Sequence, residues 1–201
     1  SKNCYYIIHT AAHPAMTISI ENPELDLMTN VIGTFNVLEA ARRYDIPVVI
    51  CSTIHVYGNK INETIKEGKT RFLREPPVID ENYPTMEGTI TPLHVSKRAA
   101  ELYVKTFIDT YGLKAAVFRL TGLYGPRQFG GEDHGWVANF TIKTILGKPI
   151  TLFGTGKQVR DILYAADAVK AFDAFYKTKA SGTYNIGGGI ERAISLIECI
   201  R

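Results

Sequence analysis

The sequence predicts an α/β protein built on a parallel sheet flanked by helices, and three observations carry that expectation. Short apolar runs rich in β-branched and aromatic residues alternate with longer segments of helical spacing, the pattern of βαβ units. Hydrophobic residues make up 45% of the 201 positions and charged residues 21%, the balance of a folded chain rather than a disordered one. No run approaches the roughly 18 consecutive apolar residues of a membrane span, so no membrane partner is expected. The 23 basic and 20 acidic residues leave a net charge of +3 and are mixed along the chain, which argues against a nucleic-acid surface. Ser1-Lys2-Asn3-Cys4 lacks the layout of a signal peptide, so the expected compartment is the cytoplasm. Cys4, Cys51 and Cys199 are widely spaced and odd in number, and read as buried free thiols rather than a zinc site or disulfide framework.

Taken in order, Tyr5-Tyr6-Ile7-Ile8-His9 reads as the first strand. Leu25, Met28, Ile32, Phe35 and Leu38 recur three and four apart, predicting one face of an amphipathic helix that ends near Tyr44. Pro47 to Ser52 follows as a buried strand carrying Thr53 at its carboxyl end. From Gly58 to Pro92 the chain is polar and punctuated by Pro76-Pro77, Pro84 and Gly88, predicting a long surface excursion of the kind that usually has a functional reason. Val95, Ala99, Leu102 and Tyr103 restore helical spacing up to Gly112, and Ala115 to Leu120 forms the next strand. Beyond the Gly-rich charged loop Gly130 to Gly135 come a helix over 136–146, a short strand over 150–153, a helix over 165–176 and a strand over 183–186.

Four stretches then carry a resemblance: Ile8-His9-Thr10-Ala11-Ala12, Ser52-Thr53-Ile54-His55-Val56-Tyr57-Gly58, Phe118-Arg119 with Tyr124-Gly125-Pro126, and Gly156-Lys157-Gln158-Val159-Arg160-Asp161. In this order they resemble the extended short-chain dehydrogenase/reductases of the NAD-dependent epimerase/dehydratase group, and they cover nearly the whole chain. The run from Arg127 to Val137 is most similar to the CDP-sugar 2-epimerases of that group, the CDP-paratose (CDP-tyvelose) type. The resemblance implies a Rossmann-like sheet with a small mixed substrate-binding lobe, residues 1–125 forming the cofactor and catalytic region and 126–201 the nucleotide-sugar region interleaved with it. It also implies NAD as cofactor, a CDP-linked nucleotide-diphosphate sugar as ligand, a homo-oligomer, and transient oxidation and re-reduction of the sugar with no net redox change.

Removing hydride from an alcohol needs a base for the hydroxyl proton. The group supplies a tyrosine whose phenol is acidified by a lysine four residues later on the same helix face, while a Ser or Thr at a strand end holds the hydroxyl. Thr53 matches that Ser/Thr and Lys97 the lysine, which also reaches the cofactor ribose. Thr10, Ala11 and Ala12 match the stretch that runs past the cofactor. Asn30 matches a helix asparagine, read equally as a cofactor-side group or as a satisfier of neighbouring backbone. Arg160 matches the arginine that forks the diphosphate, and Arg127, Gln128 and Trp136 fall in the segment similar to the cytidine-binding region, with a core role the alternative for Trp136. His9 and His13 make no metal pair without further ligands, so no metal is expected.

Two departures stand out. The tyrosine position holds Leu93, which cannot exchange a proton; the adjacent His94 lies about 100° around the helix and reads as an ordinary partly exposed histidine, and Tyr57 as a packing or substrate-lining aromatic. No glycine-rich G-x-G-x-x-G turn follows a strand, and Gly187-Gly188-Gly189 matches a different segment of the group. Motif order aligns Ser1 with the group's fourth strand, so the expected sheet lacks its opening strands and exposes an edge, and NAD binding by the chain alone is expected to be weak. A relative that binds nucleotide sugar or a partner subunit without turnover therefore stands as the alternative to an epimerase.

Overall fold

The computed structural model describes residues 4–131 and 134–201. Ser1 to Asn3 of the amino-terminal segment, and Glu132 and Asp133 of the Gly-rich loop, lie outside the described residues. Four parallel strands form the main sheet in the order β1 (Ile7–His9), β2 (Val48–Thr53), β5 (Ala115–Leu120) and β8 (Gly182–Ile186). Between β2 and β5 the excursion contributes a 3₁₀ turn, Lys60–Asn62, and a two-residue antiparallel pair, β3 (Lys66–Glu67) and β4 (Phe72–Leu73). The register Ile50↔Val117 and Val117↔Thr183 brings the carboxyl ends of β2, β5 and β8 to one edge of the sheet, beside His9. In parallel sheets that edge is where ligands sit.

Strand β1 starts at Ile7 rather than at Tyr5. Its first bond is Ile7 N–H to Pro47 O, 2.9 Å, and the β2 ladder opens only at Val48, because Pro47 has no N–H to extend it. Among the described residues no strand pairs with the outer side of β1, and Ile8 is half exposed there.

One face of the sheet, through Val48, Ile50 and Val117, packs on Leu38, Ala41, Val104 and Phe107; the other, through Val49, Ala116 and Phe118, packs on Phe175. The first four come from α3 (Gly33–Tyr44) and α4 (Pro92–Tyr111), and Phe175 from α6 (Ala165–Thr178).

The helix expected over 25–44 is divided. Met16–Glu21 is α1 and Pro23–Asp26 is α2; a π-helical segment, Leu27–Ile32, then leads into α3. The buried positions are Asp26, Asn30, Val31, Thr34, Leu38 and Ala41, whereas Leu25, Met28 and Ile32 of the expected apolar face are exposed. The wider π turn breaks the phase, and polar bonds rather than hydrophobicity choose the buried side: Asp26 meets His13, Asn30 meets His13 and Ser96, and Thr34 meets His9. The same correction applies to α4, where Val95, Leu102 and Tyr103 are exposed and Leu93, Ser96, Ala100, Val104 and Phe107 face inward. Gly112 ends that helix in the left-handed conformation at φ 68°, with its N–H on Ile108 O.

A second sheet joins β6 (Gly122–Tyr124), β7 (Val159–Tyr164) and β9 (Ala193–Ser195), parallel on one side of β7 and antiparallel on the other. The strand expected over 150–153 does not form. The segment lies between Pro149 and Gly154 with Thr151 and Phe153 exposed. Trp136–Ile145 is α5 and Leu196–Cys199 is α7. All three cysteines are free and only half-buried, short of the full burial expected. Among the described residues no helix is long and apolar enough to cross a membrane.

Candidate active site

Thr53 is the last residue of β2, where its hydroxyl accepts the His55 N–H at 3.3 Å and caps the 3₁₀ turn Ile54–Tyr57. Opposite it, Thr91 and Pro92 start α4, with proline at the position where a missing N–H costs nothing. One turn on, Lys97 donates from Nζ to the Cys51 carbonyl at 3.1 Å and has no carboxylate partner within ion-pair distance among the described residues. Burial holds the Lys97 ammonium below its usual pKa, and burial pushes the neighbouring Cys51 thiol up to about 11. His9, Ala11, Thr34, Cys51, Ser52 and Lys97 line one crevice at this edge.

Leu93 is 3% exposed and packed into the core, one helical turn before Lys97. His94, expected to be partly exposed, is buried instead. Its Nδ1 accepts the Thr91 N–H at 2.8 Å, closing the helix as a capping-box partner. Burial lowers its pKa.

Asn30 is buried and bonded to neighbouring backbone and to Ser96. Its Oδ1 accepts the His13 N–H at 2.8 Å, and its Nδ2 donates to His13 O at 3.2 Å and to Ser96 Oγ at 3.0 Å. It thereby ties the turn carrying Thr10, Ala11 and Ala12 to α4, next to Lys97. His13 completes the tie through Nδ1 to Asp26 at 2.6 Å. Thr10 and Ala11 are exposed and Ala12 half-buried.

These residues fit one end of a dinucleotide. A largely buried ammonium with no carboxylate partner, beside an open strand edge floored by small alanines, suits the hydroxyls of a nicotinamide ribose. The Gly187-Gly188-Gly189 run is no phosphate cradle: a Cβ at Gly187 would fall 1.9 Å from Asp161 Oδ2, and one at Gly188 1.9 Å from Ile162 O. Close packing against β7 accounts for the first two of these glycines.

A cleft of about 180 Å³ is lined by Trp136, Asn139, Lys143, Phe153, Gln158 and, from β7, Arg160, among others. Arg160 donates to Val159 O at 2.8 Å, and its burial works against its charge. Trp136 packs edge-on against Phe140, with ring centroids 5.8 Å apart. Arg127 and Gln128 are not on the cleft wall. Arg127 is exposed at φ 65°, and Gln128 donates to Leu123 O at 3.0 Å, bracing the loop that leads to α5.

Beneath the site lies a polar network absent from the sequence reading. Arg119 forks Glu101 at 3.0 and 2.8 Å, Glu101 accepts the Ser52 hydroxyl at 2.6 Å, and Arg119 also donates to Tyr57 Oη at 2.9 Å. Tyr57, 2% exposed, donates to Asn185 and to Asp80 O, so it fastens the long excursion across the strand ends. Charged residues inside the apolar runs of β5 and α4 were the available signal for this pair.

A model of the NAD dependent epimerase/dehydratase family matches residues 1–187. The chain belongs to that family. It is 38% identical to the CDP-paratose 2-epimerase of Salmonella typhi, covering 96% of this chain and 60% of that protein. It is 31% identical to a putative UDP-glucose 4-epimerase of Methanocaldococcus jannaschii, covering 96% and 59%. Among solved structures, the UDP-glucose 4-epimerase of Thermus thermophilus in complex with NAD superposes with a TM-score of 0.81 at 31% identity, covering 98% of this chain and 60% of that one. The Thermotoga maritima UDP-glucose 4-epimerase with UDP-glucose superposes at 0.78 and 30% identity, covering 98% and 59%. The chain thus spans about three-fifths of the length of these relatives, and its main sheet is the Rossmann sheet they share.

Proposed function

We propose that this chain carries the catalytic and sugar-nucleotide-binding parts of an NAD-dependent nucleotide-sugar epimerase, most similar to a CDP-sugar 2-epimerase. The observation that carries the reading is Lys97, an ammonium largely buried without a counter-ion beside Thr53 at the carboxyl edge of a parallel sheet. In this reading residues 1–125 hold cofactor and reacting carbon, and 126–201 grip the nucleotide sugar. Thr53 orients the reacting hydroxyl, Lys97 supplies positive charge and a donor to the cofactor ribose, and the turn from Thr10 to Ala12 supports the nicotinamide. Arg160 pairs with the diphosphate, Trp136 packs on base or sugar, and Arg127 and Gln128 shape the loop above them. When bound, NAD supplies a reversible hydride acceptor, so the sugar carbon is oxidised and then re-reduced on the other face.

Leu93 favours a second reading, a relative that binds nucleotide sugar without turnover. Incubating the chain with NAD and CDP-paratose, and following interconversion by NMR, separates them. Turnover that falls at least about tenfold in Lys97→Ala, the scale of losing a positioned charge, supports the epimerase. Turnover only in Leu93→Tyr supports the binder, and turnover indifferent to Lys97→Ala overturns the assignment of the site.

We also propose that the chain pairs with a second copy through Met28, Ile32, Val95, Leu102 and Tyr103. These apolar side chains are exposed on the neighbouring π segment and α4.

A further inference from the structure

Leu93 leaves the site without the phenol that would take the hydroxyl proton, yet two imidazoles lie beside it. The rings of His55 and His94 meet edge to face, centroids 5.5 Å apart, bringing together the turn after Thr53 and the first turn of α4. They are not equivalent. The Nδ1 lone pair of His94 is occupied by the Thr91 N–H, so the ring proton sits on Nε2 and no lone pair is free to accept another. The ring nitrogens of His55 have no hydrogen-bond partner among the described residues; its backbone alone is engaged, the N–H on Thr53 Oγ1 and the carbonyl accepting the Gly58 N–H. A free lone pair therefore stands two residues from the threonine that would hold the reacting hydroxyl.

Burial, first, and then the charged and titratable groups bearing on that ring, Arg160 from β7 and His94 from α4, push its pKa down to about 4. Arg160 also lines the neighbouring cleft. An anion on Arg160 would cancel the charge that opposes protonation of His55.

We propose that His55, rather than His94, takes and returns the sugar hydroxyl proton in this site, and that a diphosphate seated on Arg160 switches it on. This rests on the nucleotide-sugar reading above. The hydroxyl proton goes to a His55 ring nitrogen, making imidazolium, the carbinol hydrogen leaves as hydride to the oxidised nicotinamide dinucleotide, and the C–O bond becomes C=O; re-reduction runs each transfer backwards.

The test needs no turnover. The imidazole signals of the full chain are titrated by NMR with and without CDP, while the indole signal of Trp136, the sole tryptophan, reports binding. The expected result is a His55 midpoint near 4 alone that rises by at least about one pH unit, a tenfold gain in proton affinity, when CDP binds, with no rise in Arg160→Gln. A second measurement compares CDP-paratose with CDP. His55→Gln should weaken the sugar nucleotide about fivefold or more, the loss of roughly one hydrogen bond, and leave CDP within about twofold. An indole signal that responds to CDP while His55 titrates unchanged overturns this inference alone. A rise that persists in Arg160→Gln, or equal losses for both ligands, does the same. An indole signal indifferent to both nucleotides overturns the nucleotide-sugar reading itself.

Discussion

Arg119 and Glu101 are 3% exposed each, and their pairing is what allows charges to occupy the sheet-to-helix interface beneath the site. Without Arg119, Glu101 keeps a second ion pair with Arg98 at 2.9 Å and the Ser52 hydroxyl. Arg119→Met is therefore expected to cost about 1–3 kcal/mol of stability, the scale of lost hydrogen bonds to a buried charge, and also to free the excursion at Asp80 and Glu81, since Tyr57 loses its donor. Urea denaturation checks the first, and a loss below about 1 kcal/mol would mean that the pair is solvated. The placement of Thr53 at a strand end and of Lys97 on α4 was legible, because one strand end and one helix turn determine it. His94 and His55 were not: which imidazole keeps a lone pair depends on a capping bond and a ring contact between segments some 39 residues apart, quantities no spacing rule contains.

Among the helices, the π segment departs furthest from simple periodicity. Periodicity predicted a straight apolar face through Leu25, Met28 and Ile32, but the buried side is set by Asn30 and its neighbours bonding to the turn at His13. Asn30→Ala leaves the His13 N–H and Ser96 Oγ short of a partner, at a cost of about 1–3 kcal/mol. Amide exchange at His13 should quicken with it, while exchange in the central strand β5 changes no more than global stability requires. Unchanged protection at His13 would show that the His13–Asp26 contact alone holds the turn. The apolar run over 150–153 likewise forms no strand: it lies between Pro149 and Gly154 with Thr151 and Phe153 exposed, so alternation there buries no face.

For the molecule as a whole, the misplaced apolar stripes become an expectation about assembly. Exposed Met28 (54%), Val95 (47%) and Leu102 (49%) lie on adjoining elements. Sedimentation at micromolar concentration is expected to give a dimer, and Met28→Lys with Leu102→Lys a monomer with unchanged circular dichroism; a monomeric parent chain overturns the assignment. Strand alternation, helix stops such as Gly112 and motif order are local or linear properties, so the parallel α/β sheet, most of its longer elements and the kinship of its motifs are written in the chain itself. Packing settles which face of each helix is buried, which histidine keeps a free lone pair, and that Arg119, Glu101 and Ser52 form one network under Thr53. Those outcomes depend on hydrogen bonds and ion pairs between residues far apart in the chain, whose geometry exists only once the sheet and helices have packed.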